Sequence, residues 1–187
     1  MAAVLLIRTG AVENPTRIAI TVTPANLPDL ARVVAAFASI PHCRLLGMRL
    51  EEVRRGSGMM SLDWSERLVG NPVTRVIHSG AVTALLDTLC GLVVMASVPE
   101  GTPLATLDLR IDYLRPATPE KRIRATAECY KVTHSVAFVH GRAFNDDAAD
   151  AIAHCTGTFM LGGVGFSAAA AGNDEPGAGR SEGGQPC

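Results

Sequence analysis

Apolar and polar positions change period twice along this chain of 187 residues. The first 27 residues keep no steady period. Within them, residues 17–23, between Pro15 and Pro24, read either as a short strand or as an unstructured lead. From Pro28 and Asp29 the pattern turns helical: Leu30, Val33, Val34 and Phe37 share one face, and Pro41 ends the segment. From Leu45 it alternates, with Leu46, Met48, Leu50 and Glu52 set against Gly47, Arg49, Glu51 and Val53. Gly56, Ser57 and Gly58 mark a hairpin turn, and Met60, Leu62 and Trp64 line one side of the returning strand. A loop over residues 65–77 then leads into the longest apolar run of the chain, residues 80–96. A helix that is apolar all round is a buried helix. After the break at residues 99–103 the period becomes two, and four strands follow to residue 161. In the first, Leu107, Leu109, Ile111 and Tyr113 oppose Asp108, Arg110 and Asp112. In the second, Ile123, Ala125, Ala127 and Cys129 oppose Arg122, Arg124, Thr126 and Glu128. Short turns between them predict antiparallel pairing.

The order is helix, two strands, one long buried helix, four strands. A lone buried helix must be covered on most sides, and a strongly curved antiparallel sheet does this. The fold class expected is therefore α+β. The domain is expected over residues 28–166, after an N-terminal lead over 1–27. Residues 167–187 hold five alanines, five glycines and two prolines and no large apolar side chain, so a disordered tail is expected there.

Composition narrows the function. A formal net charge of -1 with no basic block argues against a nucleic-acid partner. Five dispersed cysteines with no C-x-x-C spacing argue against a zinc site or a disulfide framework and suit a reducing compartment. Cys90, one turn after Asp87, reads best as a small buried hydrophobe. The opening apolar run, residues 2–7, is too short for a signal-peptide core. The central run is long enough for a bilayer, but Asp87 at its midpoint would cost ~3 kcal/mol there. The expectation is a soluble, cytoplasmic protein without membrane, metal or cofactor.

The candidate chemistry gathers on the central helix. Asp87 is the one ionisable residue in its apolar run, and His78, Ser79 and Gly80 stand at its entry. An unpaired carboxylate among apolar groups is costly, so such a residue is either hydrogen-bonded or used. A helix start offers free N–H groups and the positive end of the helix dipole. Ser79 and Gly80 are placed to aim such donors at a carbonyl, and His78 reads as a cap or positioning residue. Asp87 can activate a water or attack directly to form an anhydride, and the sequence leaves both routes open. No G-x-S-x-G is present, so Ser79 is not read as a serine nucleophile. Asp87 lies nine residues beyond His78, about 13 Å along the axis. A reacting carbonyl needs its donors and its nucleophile each about 3 Å away. One rigid helix cannot supply both, whereas two antiparallel helices in a two-fold dimer can.

The stretch HSGAVTALLDT, with Asn71-Pro72 before it, RIDYLRPA after the helix and the closing strand AIAHCTGTF, resembles the PaaI-like hotdog thioesterases over residues 45–161. The resemblance implies a hotdog fold, hydrolysis of acyl-CoA thioesters, and active sites between the subunits of a homodimer, with a dimer of dimers as a further option. It assigns the catalytic carboxylate to Asp87, the carbonyl-polarising N–H to Ser79 at the His78–Gly80 entry, a second donor to Asn71, and a water-holding hydroxyl to Thr106. Thr88 is placed with the substrate. Arg115, Lys131 and His134 lie at strand ends, where such charges either meet CoA phosphates or stand solvated. Ser79 stands where the family usually has glycine, and the step from Asn71 to His78 is one residue longer than in some relatives.

Two competing classes fit the pattern less well. A hotdog hydratase or dehydratase carries a histidine five residues after the aspartate, and here that position is Leu92. A non-catalytic acyl-CoA sensor usually has an appended DNA-binding domain, and residues 1–40 show no helix-turn-helix pattern.

Overall fold

The computed structural model describes residues 3–7, 18–22 and 27–162, with side chains from residue 30 onward. The expected tail at 167–187 lies outside the described residues. So does most of the 1–27 lead, apart from two short strands.

Those strands are β1 (Ala3–Ile7) and β2 (Ile18–Val22), an antiparallel pair that extends the sheet. The sequence pattern offers β2 as one of two options and gives no sign of β1. Helix α1 (Leu27–Ser39) buries Leu30, Val33, Val34 and Phe37, the face read from their spacing. Pro41 ends that helix, but it also opens a second one, α2 (Pro41–Leu46). Proline suits a first helical position because its missing N–H has no helical partner there. Gly47 closes α2 at φ 74°, a left-handed conformation that glycine adopts without strain. Leu45 and Leu46 are thus helical, and the strand expected from Leu45 starts only at Met48, in β3 (Met48–Arg54).

β3 and β4 (Ser57–Leu62) form the expected hairpin, turning at Arg55 and Gly56. The register slips between Leu50 and Glu52, so Val53 rather than Glu52 joins Leu50 in the core. After a 3-10 turn at Glu66–Leu68 comes a small hairpin of β5 (Val69–Asn71) and β6 (Val76–Ile77). Helix α3 (Ser79–Ser97) follows, then β7 (Leu104–Tyr113), β8 (Ile123–Val132), β9 (Val136–Phe144) and β10 (Ala151–Leu161).

The main sheet runs β1-β2-β3-β4-β8-β9-β10-β7. Every neighbouring pair is antiparallel except β2 and β3. β7 does not pair with β8, its successor in sequence. It crosses to the far edge beside β10, and the connecting residues 114–122 are tied down by buried Asn145. Asn145 donates to the Arg122 carbonyl at 2.9 Å and accepts from the Thr118 N–H at 3.0 Å. Among the described residues the placement leaves β7 as a free edge, with Leu107 and Tyr113 exposed along it and Leu114 exposed just beyond.

Helix α3 packs against β3, β4, β7, β8, β9 and β10, with α1 on its flank. Leu85, Leu86, Leu89, Cys90, Val93 and Val94 are fully buried. Arg32 of α1 donates to the carbonyls of Met95 (3.1 Å) and Val98 (2.6 Å), satisfying groups at the helix end that have no helical partner. By length and hydropathy α3 could be taken for a membrane span, but the sheet covers most of it and it is a core helix. The expected all-round burial needs one correction. Ser79, Gly80, Thr83, Ala84, Asp87, Thr88 and Gly91 form an open stripe at helical spacing along the protomer. Apart from Asp87 they are small, and that is why hydropathy alone hid the stripe.

Candidate active site

The helix entry is built by the β5–β6 hairpin. Asn71 Oδ1 accepts from the N–H groups of Val73 (3.0 Å) and Thr74 (3.2 Å), and its carbonyl accepts from Arg75 N–H at 2.7 Å. Its side chain therefore shapes the turn. Arg75 holds φ 58° in that turn, a conformation uncommon outside glycine. Its guanidinium lies 4.8 Å over the Trp64 ring and pairs with Glu66 and Glu120, while Trp64 Nε1 donates to its carbonyl at 3.0 Å. These contacts fix the angle at which the chain enters α3.

His78 is the N-cap. Its N–H reaches the Leu68 carbonyl at 2.7 Å, and its Nδ1 accepts from Gly80 N–H at 2.9 Å. The ring is thereby oriented with Nδ1 as acceptor, which leaves the proton on Nε2 in the neutral tautomer. Both flanking glycines are required. A Cβ on Gly70 would lie 2.7 Å from His78 Cα, and one on Gly80 would lie 2.9 Å from His78 Nδ1. Of the two donors expected at the helix start, Gly80 N–H is thus occupied by the cap. Ser79 N–H has no partner among the described residues. The Ser79 carbonyl accepts from the Tyr113 hydroxyl at 2.8 Å, and the same hydroxyl meets Thr83 Oγ1 at 2.9 Å. Tyr113 anchors the first turn of α3 to the edge strand. A cavity of about 340 Å³ opens at this helix start, with His42, Arg67, His78 and Gly80 in its lining.

Two turns further on, Asp87 lies half-buried on the open stripe, and Thr106 of β7 donates to its Oδ1 at 3.1 Å. The second oxygen, Oδ2, has no hydrogen bond among the described residues. A separate cleft of about 330 Å³ starts at Asp87, Thr88 and Thr106 and continues over Ile40, Leu92, Met95, Leu104 and Phe159. Thr88 faces Cys43 Sγ at 3.8 Å. Cys90, directly behind, is fully buried with its Sγ 3.8 Å from Cys155 Sγ. That contact and burial push the Cys90 thiol well up, so it stays protonated.

The structure therefore brings Asp87, Thr88 and Thr106 together at one cleft, and His78, Ser79 and Gly80 together at another. The two sets lie about 12 Å apart along one helix. Asn71 faces a third hollow with Thr74, Val76 and Pro116. Arg115, in the crossover, is engaged by the turn between β9 and β10: its Nε donates to Asp150 Oδ1 and its Nη2 to the Asp150 carbonyl, both at 2.8 Å. Lys131 is exposed near the end of β8 and His134 in the following turn, and neither lines the Asp87 cleft. Sequence reasoning missed Tyr113, Arg75, Gly70, His42 and Arg67. The last two are basic groups beside the helix-start cavity with no motif to announce them.

A family model described as "Thioesterase superfamily" matches residues 75–152. The medium/long-chain acyl-CoA thioesterase YigI of Escherichia coli (strain K12) is 30% identical over 136 residues, covering 66% of this chain and 86% of that protein. The chain belongs to the thioesterase superfamily. A crystal structure of a Pseudomonas aeruginosa protein matches this thioesterase-superfamily chain at 41% identity with a TM-score of 0.65, covering 71% of this chain and 98% of that one. A single-site mutant of the phenylacetic acid degradation protein PaaI from Thermus thermophilus has a TM-score of 0.57 at 21% identity, covering 65% and 98%. At that identity the likeness is one of fold, and the fold is the hotdog arrangement of one helix in a curved sheet. The segment matched by the superfamily model contains both helix-borne sets, from His78 to Asp87, together with Thr106 and Tyr113.

Proposed function

We propose that this superfamily member hydrolyses acyl-CoA thioesters to the free acid and CoA, in sites assembled from two copies of the chain. The observation that carries the reading is the split geometry. A carboxylate held by Thr106 opens on an apolar cleft, and an unpartnered N–H waits at the start of the same helix, too far away to meet the same carbonyl. A two-fold partner brings the helix start of one chain to the Asp87 cleft of the other. The edge of β7, ten residues long with Leu107 and Tyr113 exposed and Leu114 exposed just beyond it, is where that partner adds its own strand. The kinship to an enzyme named a medium/long-chain acyl-CoA thioesterase supports the substrate class.

In this reading Ser79 N–H donates to the thioester oxygen as negative charge develops on it. A preorganised donor of this kind is typically worth ~3–4 kcal/mol of barrier. Thr106 fixes one oxygen of Asp87 and leaves the other facing the carbonyl carbon. That oxygen either takes a proton from the attacking water or attacks the carbon itself. Collapse of the tetrahedral intermediate breaks the carbon–sulfur bond and expels the CoA thiolate, which takes up a proton; on the direct-attack route water then hydrolyses the acyl anhydride on Asp87, releasing the acid and restoring the carboxylate. A binding-only module would have no use for a carboxylate at the mouth of its acyl cleft. The free thiols of Cys43, Cys90, Cys129 and Cys155 support a reducing, cytoplasmic setting. Released CoA, followed with a thiol reagent over a panel of acyl-CoAs, tests the reading. Asp87→Asn keeps the shape and should lower the rate by at least ~10²-fold. Wild-type turnover in the folded variant would refute the role of Asp87.

A further inference from the structure

Glycine inside a helix loses more conformational freedom on folding than any other residue, so it persists there where something excludes a side chain. Six described glycines outside the left-handed region are enclosed by structure: Gly58, Gly70, Gly80, Gly91, Gly141 and Gly157. At Gly70, Gly80 and Gly141 a Cβ would come within 3.0 Å of a neighbouring atom, and at Gly58 and Gly157 it would press on a backbone oxygen at 3.1 Å, so at all five a side chain forces a neighbour to give way. Gly91 is the exception. Its Cβ would lie 3.6 Å from Phe159 Cε1 and 4.0 Å from Leu104 Cδ1, which is ordinary contact. Nothing in the fold of the protomer forbids alanine at this place in the middle of α3.

What Gly91 borders is the Asp87 cleft. It lies one turn beyond Asp87 on the open stripe, and the two side chains its Cβ would touch both line that cleft. Polar groups stand only at the Asp87, Thr88 and Thr106 end. Beyond Gly91 the lining is Ile40, Leu92, Met95, Leu104 and Phe159. From Asp87 to Met95 is eight residues, about 12 Å of helix axis. An acyl chain with its carbonyl at Asp87 must pass over Gly91 to reach Met95. We infer that Gly91 is a specificity-determining residue, left without a side chain so that the cleft admits a straight, medium-length or longer apolar acyl chain. This rests on the thioesterase reading above and adds to it the length of the acyl group.

The test compares acetyl-CoA with decanoyl-CoA on wild type, Gly91→Ala and Gly91→Val. A single added carbon in an apolar pocket is worth roughly tenfold or more in discrimination. Gly91→Ala should therefore lose roughly tenfold in kcat/KM for decanoyl-CoA, and Gly91→Val should lose more. Both should stay within about threefold of wild type for acetyl-CoA, which does not reach past Gly91. Because alanine is the better helix former, Gly91→Ala should also raise the Tm by roughly 2–4 °C. An unchanged length profile in active variants would overturn the role of Gly91 and leave the thioesterase reading intact. A wild type that hydrolyses no acyl-CoA would overturn both. A lowered Tm, or loss of the dimer by light scattering, would show that packing requires the glycine after all and overturn the inference.

Discussion

Ser79→Pro separates the backbone of the helix start from its side chains. Ser79 is the first residue of α3, a position where proline fits and its missing N–H breaks no helical bond. The preceding residue, His78, already has ψ 132°, the extended range that a residue before proline prefers. Ser79 N–H has no partner to lose among the described residues, and the Ser79 carbonyl can still accept from Tyr113. The His78 cap on Gly80 N–H is untouched. The folded protein should therefore keep its stability or gain up to about 1 kcal/mol from the stiffer unfolded chain. Catalysis should respond very differently. Removing one oxyanion donor costs about 10²–10³ in kcat, or ~2.7–4 kcal/mol. Ser79→Gly keeps the N–H and should retain most activity. Thermal unfolding and CoA release, measured on both variants, decide the matter. A folded Ser79→Pro protein turning over at the wild-type rate would refute the assignment of this N–H to the thioester oxygen, and a dead Ser79→Gly protein would point to the hydroxyl instead.

Three further outcomes follow from the geometry. His78→Ala removes the cap and should cost about 1 kcal/mol, whereas His78→Asn should restore the stability as a better N-cap and keep activity within roughly tenfold; a stable His78→Asn variant slower by ~10² would mean the imidazole itself does chemistry. Leu107→Lys places a charge on a side chain 55% exposed at the free edge of β7, so the protomer should stay folded while light scattering reports monomers and hydrolysis disappears; an active dimer would move the interface elsewhere. The Cys90 thiol is held above its ordinary value of 9.0 in the folded state, so its contribution is complete below about pH 9 and is lost as pH rises through the folded value; the urea midpoint should fall on the alkaline side, and less so in Cys90→Ala.

How much of this was legible in the sequence depended on period and contrast. The period-two runs of β8 to β10 and the face of α1 each had a repeat long enough to read. Asp87 stood out because nothing around it was ionisable. Short or interrupted elements had no such signal. β1 is five apolar residues without alternation, α2 is six residues with no full face, and the slip at Leu50 and Glu52 moved Val53 into the core against the alternation. The crossover that puts β7 beside β10 is a tertiary choice, and Asn145, which ties down its connection, has no local pattern. At the site, the motif residues could be named, but their partners came from elsewhere in the chain. Tyr113 meets Ser79 across 34 positions and Thr106 meets Asp87 across 19. The open stripe of α3 went unseen because glycine, alanine and threonine look almost apolar in a pattern, although their small size is what leaves room for a substrate.

If each site draws its carboxylate from one chain and its N–H from the other, mixed dimers must recover what each variant lacks. Ser79→Pro and Asp87→Asn chains, each inactive alone, are unfolded and refolded together, and CoA release is measured. A shared site predicts that the mixture recovers about a quarter of wild-type activity, because half of the dimers formed at random are mixed and each mixed dimer carries one intact site of two. If both groups came from a single chain, every site in the mixture would keep one defect, and activity no higher than that of the separate variants would contradict the account.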